Sequence, residues 1–323
     1  PQRRRALGRA ARRRALAFTP DRVVDAYERL YARLAGDEEA PLMGRRPDPA
    51  PLGPRLRGAV EAGRVLAGGR LRTPGAIVLA YHDVGDDSAN KTDYYVSPRQ
   101  LRAQLTAARA WGLRFVDLAE LTEAVASGED LDGMAAVVFD DSLAGVHHHA
   151  LPVLLDLGVP ATVFAVSDAL GTSPPWWPGA ARVMTRAELE EMAALGFRVA
   201  SHTRTHPSLP PLGARRQADE LAGSRAALED VTGGPVELFA YPYGHYDPGV
   251  RAAVADAGYR AGYSFLNGRI TAGMDRFRLP RLNMWPGQGP ARLAYHVARP
   301  PASWPCPEPD TVLHRDEKGG PGS

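Results

Sequence analysis

The chain has 323 residues, 44% of them hydrophobic and 24% charged, with a net charge of +2. This is globular composition, and the near-neutral balance argues against broad electrostatic capture of nucleic acid. A single cysteine, Cys306, excludes an intrachain disulfide and a cysteine-held metal, and no apolar run approaches the roughly 18 residues of a membrane span.

The chain begins at Pro1 and carries seven arginines in its first 14 residues, with no apolar segment behind them. It therefore reads as a piece of a longer polypeptide whose first residues here are not a signal peptide; the compartment stays open, with a cytoplasmic or membrane-peripheral setting favoured. Residues 1–18 read as a basic helix. Thr19-Pro20-Asp21 starts another, with Thr19 as N-cap and Pro20 in the first turn. Val23, Tyr27, Leu30 and Leu34 fall on one face of it, and nothing nearby in sequence covers that face. Residues 1–36 thus form a helical segment, and the prolines at 41, 47, 49, 51 and 54 make 37–72 a stiff linker. A weak helix is expected within it, over 55–67.

From Pro74 the pattern changes. Strands are predicted at 76–81, 114–116, 135–140, 161–166, 198–201, 236–241, 259–264 and 278–284. Helices are predicted at 98–111, 118–127, 145–157, 186–195, 214–232 and 248–257. This alternation predicts an α/β domain over 73–299 with parallel strands, a distorted and incomplete (β/α) barrel. An open doubly wound sheet is the rival, but no glycine-rich phosphate turn follows the first strand. Residues 300–323, rich in Pro, Gly and charge, read as a disordered tail.

Polar residues gather at the strand ends. His82-Asp83 follows the first strand and Asp140-Asp141 ends the third. Ser201–His206 follows the fifth, Tyr241-Pro242-Tyr243-Gly244 ends the sixth, and Arg281 lies in the last. In a parallel barrel these ends share one rim, where active sites are built. Adjacent carboxylates repel unless a proton or cation separates them, and a helix N-cap pair is the alternative reading of Asp140-Asp141. His202 and His206, four apart, can bring two imidazoles to one side of a turn or loop. Two His and one Asp give three N/O ligands and leave a position for water, an open catalytic site suited to zinc or another divalent metal. The run His147-His148-His149 reads as a helix surface, because neighbouring helical residues diverge. Trp176-Trp177, in a Pro-rich loop, is either a small hydrophobic cap or a wall for a sugar ring.

These residues resemble the polysaccharide deacetylase family, the NodB-like carbohydrate esterases of family 4, over roughly residues 75–285. Phe139-Asp140-Asp141-Ser142 is similar to the family's Thr-Phe-Asp-Asp-Gly motif. His202-Thr203-Arg204-Thr205-His206 matches its His-Ser/Thr-x-x-His motif, and Phe239–Gly244 its Phe-x-Tyr-Pro-Tyr-Gly form. The resemblance implies that Asp141, His202 and His206 hold the metal, that Asp140 is the general base toward the attacking water, and that the Tyr243 N–H receives the oxyanion. Tyr241, Trp176 and Trp177 are assigned to the substrate wall. Ser142 replaces a glycine, and Ala240 stands where many members carry an arginine that pairs with the catalytic Asp; Arg281 is expected to supply that charge. The family's Leu-x-His acid is missing, since no histidine lies between His245 and His296. His82 is the candidate acid, with an orienting role as its alternative.

The expected function is metal-dependent removal of N-acetyl groups from amino sugars of a glycan or glycolipid. An O-acetyl esterase and a glycan-binding module without catalysis are the alternatives. Residues 14–31 resemble the C-terminal helix of a two-domain (GT-B) glycosyltransferase, which implies a glycosyltransferase–deacetylase fusion whose missing domain would cover the helix.

Overall fold

The computed structural model of the chain describes residues 62–63, 69–70, 74–85 and 94–298. The segment 1–36, most of 37–72, the tail 300–323 and Cys306 lie outside the described residues. Ala62, inside the stretch read as linker, is helical and buried in the core. No helix among the described residues is long and apolar enough to cross a membrane.

In chain order the elements are β1 (Ile77–Tyr81), β2 (Asp83–Val84), β3 (Tyr95–Val96), α1 (Pro98–Ala110), β4 (Arg114–Phe115), α2 (Leu118–Ser127) and β5 (Met134–Phe139). A π-helical turn (Val146–Ala150), α3 (Leu151–Leu157), β6 (Ala161–Ala165), α4 (Arg186–Ala194) and β7 (Arg198–Ser201) follow. Then come α5 (Ala214–Thr232), β8 (Leu238–Ala240), α6 (Pro248–Asp256), β9 (Ala261–Asn267), β10 (Leu279–Asn283) and α7 (Pro290–Ala298). All six predicted helices and all eight predicted strands are present, within a few residues of their expected bounds. The helix expected over 145–157 is divided. Pro152 has no N–H to give to the turn before it, and the chain widens to a π-turn closed by Leu151 N–H to the Val146 carbonyl. The short strands β2 and β3 and the helix α7 were not foreseen.

The sheet closes. Seven parallel strands run β1-β10-β9-β8-β7-β6-β5, and β5 pairs back with β1 from Ile77–Ala135 to Tyr81–Phe139. β4 adds to the outer edge at the start of β5. The fold is therefore a distorted (β/α) barrel with one strand fewer than eight, and the open-sheet rival is excluded. Alternation sorts the strand residues into two cores. Ile77, Leu79 and Tyr81, with Ala135, Val137 and Phe139, pack outward against the helices. Val78, Ala80, Ala136, Val138, Ala200 and Ala240 fill the interior around Phe164 and Tyr263.

Candidate active site

The alternation also decides which rim residues turn inward. His82, Asp140 and His202 each stand two residues beyond an interior residue, Ala80, Val138 and Ala200, so strand geometry aims them at the barrel axis. Asp141 is out of phase and would point away on an extended backbone. Its φ of 64° is left-handed, and that turn lets two consecutive carboxylates face one cavity. Thr203, His206 and Tyr243 are left-handed as well, at φ of 68°, 61° and 58°. Backbone strain is thus concentrated at this rim, where the surrounding structure must hold it. His202 and His206 lie on a loop. Glu220 of α5 reaches under it, accepting from the Arg204 and Thr205 N–H groups at 2.9 and 3.0 Å and from the Thr205 hydroxyl at 2.6 Å.

The cavity has a volume of about 150 Å³ and is lined by His82, Asp140, Asp141, His202, His206 and Tyr243, with an aromatic rim. Asp140 Oδ1 accepts from Arg281 Nη1 at 2.6 Å, and its Oδ2 is 3.8 Å from His82 Nε2. Asp141 Oδ1 is 3.3 Å from His206 Nε2 and 3.7 Å from His202 Nε2. The two carboxylates are therefore divided: Asp140 belongs to Arg281 and His82, Asp141 to the two imidazoles.

Electrostatics follow this division. Burial pushes Asp140 up, but the Arg281 charge, His202, His82 and the Arg281 hydrogen bond outweigh it and hold the carboxyl well below the ordinary range. Burial and then the neighbouring Asp140 charge push Asp141 up to about 8, against the smaller effect of the Trp176 hydrogen bond. Burial lowers His82 to about 4 and lowers His202 and His206 as well, so all three imidazoles are neutral near pH 7.

The donor set fits a metal. His202 Nδ1 lies 2.8 Å from the Ala240 carbonyl, which can only accept, so Nδ1 carries the proton and Nε2 presents a bare lone pair to Asp141. Three ligand atoms of Asp141, His202 and His206 converge within 4.8 Å, an arrangement that needs either a cation or a proton among them. A second group, His147, His148 and Glu188, is less suited. Both Glu188 oxygens are already held by Arg182 at 2.6 Å, and the imidazoles hydrogen-bond to Glu191 and Glu188. The neighbouring His147 and His148 are not a bare helix surface, then, but bond across to α4.

Tyr241 is among the residues that line the cavity, but its side chain is turned into the core. It has the outward parity of Phe239, is fully buried, and its hydroxyl donates to the Phe277 carbonyl at 2.7 Å. Its hydroxyl is therefore spent in the core. Tyr243 is half-buried beside His206, ring centroids 4.6 Å apart. Trp176 and Trp177 pack on a small cluster of Leu143, Val166, Ala169 and Val183. Trp177 also meets His82 and Tyr94 edge-on, at 5.9 and 5.4 Å. Tyr94 and Phe265 line the cavity and were missed, as was Glu220. No motif marks the two aromatics, because their contact with the rim depends on how β3 and β9 come together.

Residues 127–262 match the family model described as polysaccharide deacetylase. YxkH of Bacillus subtilis, which bears the polysaccharide deacetylase name, is 28% identical over 161 residues, half of this chain. The chain spans 55% of that relative's length. Poly-beta-1,6-N-acetyl-D-glucosamine N-deacetylase of Staphylococcus epidermidis is 22% identical over 201 residues, 59% of this chain and 68% of its own. The structure of IcaB from Ammonifex degensii superposes with a TM-score of 0.63 at 28% identity, covering 71% of this chain and 99% of that one. Residues 127–262 are thus similar in sequence to polysaccharide deacetylases, and the barrel around them has the same fold as IcaB.

Proposed function

We propose that the chain is a metal-dependent de-N-acetylase of N-acetylated amino sugars in a glycan or glycolipid. The division of the two carboxylates carries this reading: one is kept ionised by Arg281, the other joins two neutral imidazoles. A divalent metal, zinc being the expected one, supplies when bound the positive charge that polarises the acyl carbonyl and brings water's pKa toward neutrality. The rest falls to the chain. Asp140 enters ionised and accepts a proton from the attacking water. The water oxygen bonds to the acyl carbon, and the Tyr243 N–H donates to the oxyanion. His82, neutral at rest and 3.8 Å from Asp140, carries the proton to the amide nitrogen. The carbon–nitrogen bond breaks, and acetate and a free amine leave.

The test is incubation of the chain with poly-β-1,6-N-acetylglucosamine oligomers and other N-acetylated oligosaccharides, followed by mass spectrometry. Loss of one acetyl mass with release of acetate, abolished by a chelator and restored by zinc, is the expected result. Unchanged masses across such a panel, with zinc bound, would overturn the reading. The proposal extends to a glycosyltransferase fusion, supported only by the sequence of residues 14–31. Reading the coding sequence upstream of Pro1 tests it.

A further inference from the structure

Trp176 touches two of the three candidate metal ligands. Its indole N–H donates to Asp141 Oδ1 at 3.1 Å, the same oxygen that faces both imidazoles. Its ring lies flat on His206, with centroids 4.6 Å apart and planes at 19°. The contact matters because the two histidines are held differently. Metal-binding imidazoles are ordinarily oriented by a hydrogen bond from the second ring nitrogen. His202 has one, to the Ala240 carbonyl. His206 Nδ1 is buried and has no hydrogen-bond partner among the described residues. What restrains that ring is aromatic: the face of Trp176 on one side, and Tyr243 meeting it nearly edge-on at 4.6 Å and 73° on another. The backbone of His206 is left-handed, so the main chain alone does not make this orientation the cheap one.

We infer that Trp176 is a positioning residue that pre-sets Asp141 and His206 for the metal, in place of the missing His206 hydrogen bond. The inference rests on the metal-dependent reading above and gives Trp176 a different task from the sugar-facing wall expected from sequence. The indole N–H also leaves Asp141 one fewer direction in which to turn, so both ligands are fixed before the metal arrives.

Two variants separate the contributions. Trp176→Phe keeps a ring over His206 and removes the N–H; Trp176→Leu removes both. Zinc affinity is measured at pH 7 by competition with a chromophoric chelator, and folding by thermal melting in EDTA. Loss of supporting contacts around metal ligands costs about 10–100-fold in affinity. The expected result is roughly tenfold weaker zinc binding for Trp176→Phe and roughly 100-fold for Trp176→Leu, with the melting of the metal-free Phe variant unchanged. Wild-type zinc affinity in both variants would overturn the inference, and so would a raised KM with unaltered zinc affinity, the signature of a substrate wall. A wild-type chain that binds no zinc would overturn this inference and the functional reading together, which sets that failure apart from the other two.

Discussion

Arg281 and Asp140 meet across the inside of the barrel, Nη1 to Oδ1 at 2.6 Å, with the arginine fully buried and the aspartate side chain 2% exposed. The arginine enters from β10, and its Nε also donates to the Ser264 carbonyl at 2.8 Å. It thus occupies electrostatically the place left by Ala240, from a different strand. The pair keeps the carboxylate ionised despite its burial, the state a general base requires.

Removing only the arginine leaves a buried carboxylate without its partner. Arg281→Leu is expected to destabilise the fold by about 3–5 kcal/mol, the cost of breaking such a pair from one side. Arg281→Leu combined with Asp140→Asn is expected to recover most of that loss. Urea denaturation of the two single variants and the double variant measures the coupling. Additive losses would mean that the pair contributes no interaction of its own.

Asp141, raised to about 8, holds a proton at pH 7 when no metal is present, whereas the imidazoles are already neutral. Zinc must displace that proton. Zinc affinity is therefore expected to rise about tenfold per pH unit from 6.5 to 8 and then level off, one proton being released per metal. Asp141→Asn weakens binding and removes the slope. Asp140→Asn keeps the metal and loses turnover. By deleting a charge that raises Asp141, it also moves the levelling point to lower pH. Chelator competition at several pH values checks all three; equal zinc loss in both variants would merge the aspartates' roles.

The rim was legible from sequence because parallel strands carry their C-terminal ends to one side, and His82, Asp140 and His202 follow the two-residue period. Asp141 and His206 were found through motif spacing, yet the reason they face the cavity is a left-handed turn that no periodicity reveals. Tyr241 shows the limit most plainly. It stands two residues before Tyr243 in the same motif, where strand parity would treat the two alike, and the left-handed turn at Tyr243 is what separates a core hydroxyl from a rim residue. Tyr94, Phe265 and the Trp176–His206 stack depend on how distant elements pack, which local patterns do not encode.

The metal-free chain has a worked pH dependence. His82, His202 and His206 have lowered pKa values, so below 6.5 the unfolded chain takes up protons that the native site refuses. Their contribution is lost as pH falls from 6.5 toward 4. Asp141 is raised from 3.8 to about 8, so the native site keeps a proton the unfolded chain has released. Its contribution is lost as pH rises toward 8, by about 1.4 kcal/mol per unit. Three groups outweigh one below 6.5, and only Asp141 acts above it. Stability in EDTA is expected to peak near pH 6.5, and Asp141→Asn should flatten the decline above it. A peak near pH 8 in the wild type would contradict the raised Asp141.

Ser142 is left-handed at φ 48°, and its hydroxyl is buried with no hydrogen-bond partner among the described residues. An L-residue in this region costs about 1–2 kcal/mol, whereas glycine adopts it freely and loses about 0.5–1 kcal/mol in entropy. Removing a stranded buried hydroxyl adds about 1 kcal/mol or more in favour of the change. Ser142→Gly is expected to stabilise the chain by roughly 1–2 kcal/mol, read as a higher urea midpoint at unchanged slope. A lower midpoint would show that the serine is held by something other than its backbone.

The remaining question is how the amine departs. An amide nitrogen leaves poorly unless protonated, whereas an activated ester oxygen leaves without help. His82 lines the cavity 3.8 Å from Asp140, in an aromatic setting of Tyr94, Trp177 and Phe265. Its Nδ1 is buried with no hydrogen-bond partner among the described residues, so the three aromatic rings are what hold the imidazole in place. If His82 carries the proton to the leaving nitrogen, His82→Ala lowers amide turnover by about 100-fold or more, the scale of general acid catalysis. Cleavage of an activated acetyl ester by the same variant falls far less. Parallel kcat measurements on an N-acetylated oligosaccharide and on such an ester decide it. Equal losses on both substrates would make His82 a positioning residue for Asp140. An unchanged amide rate would mean that Asp140 returns the proton itself.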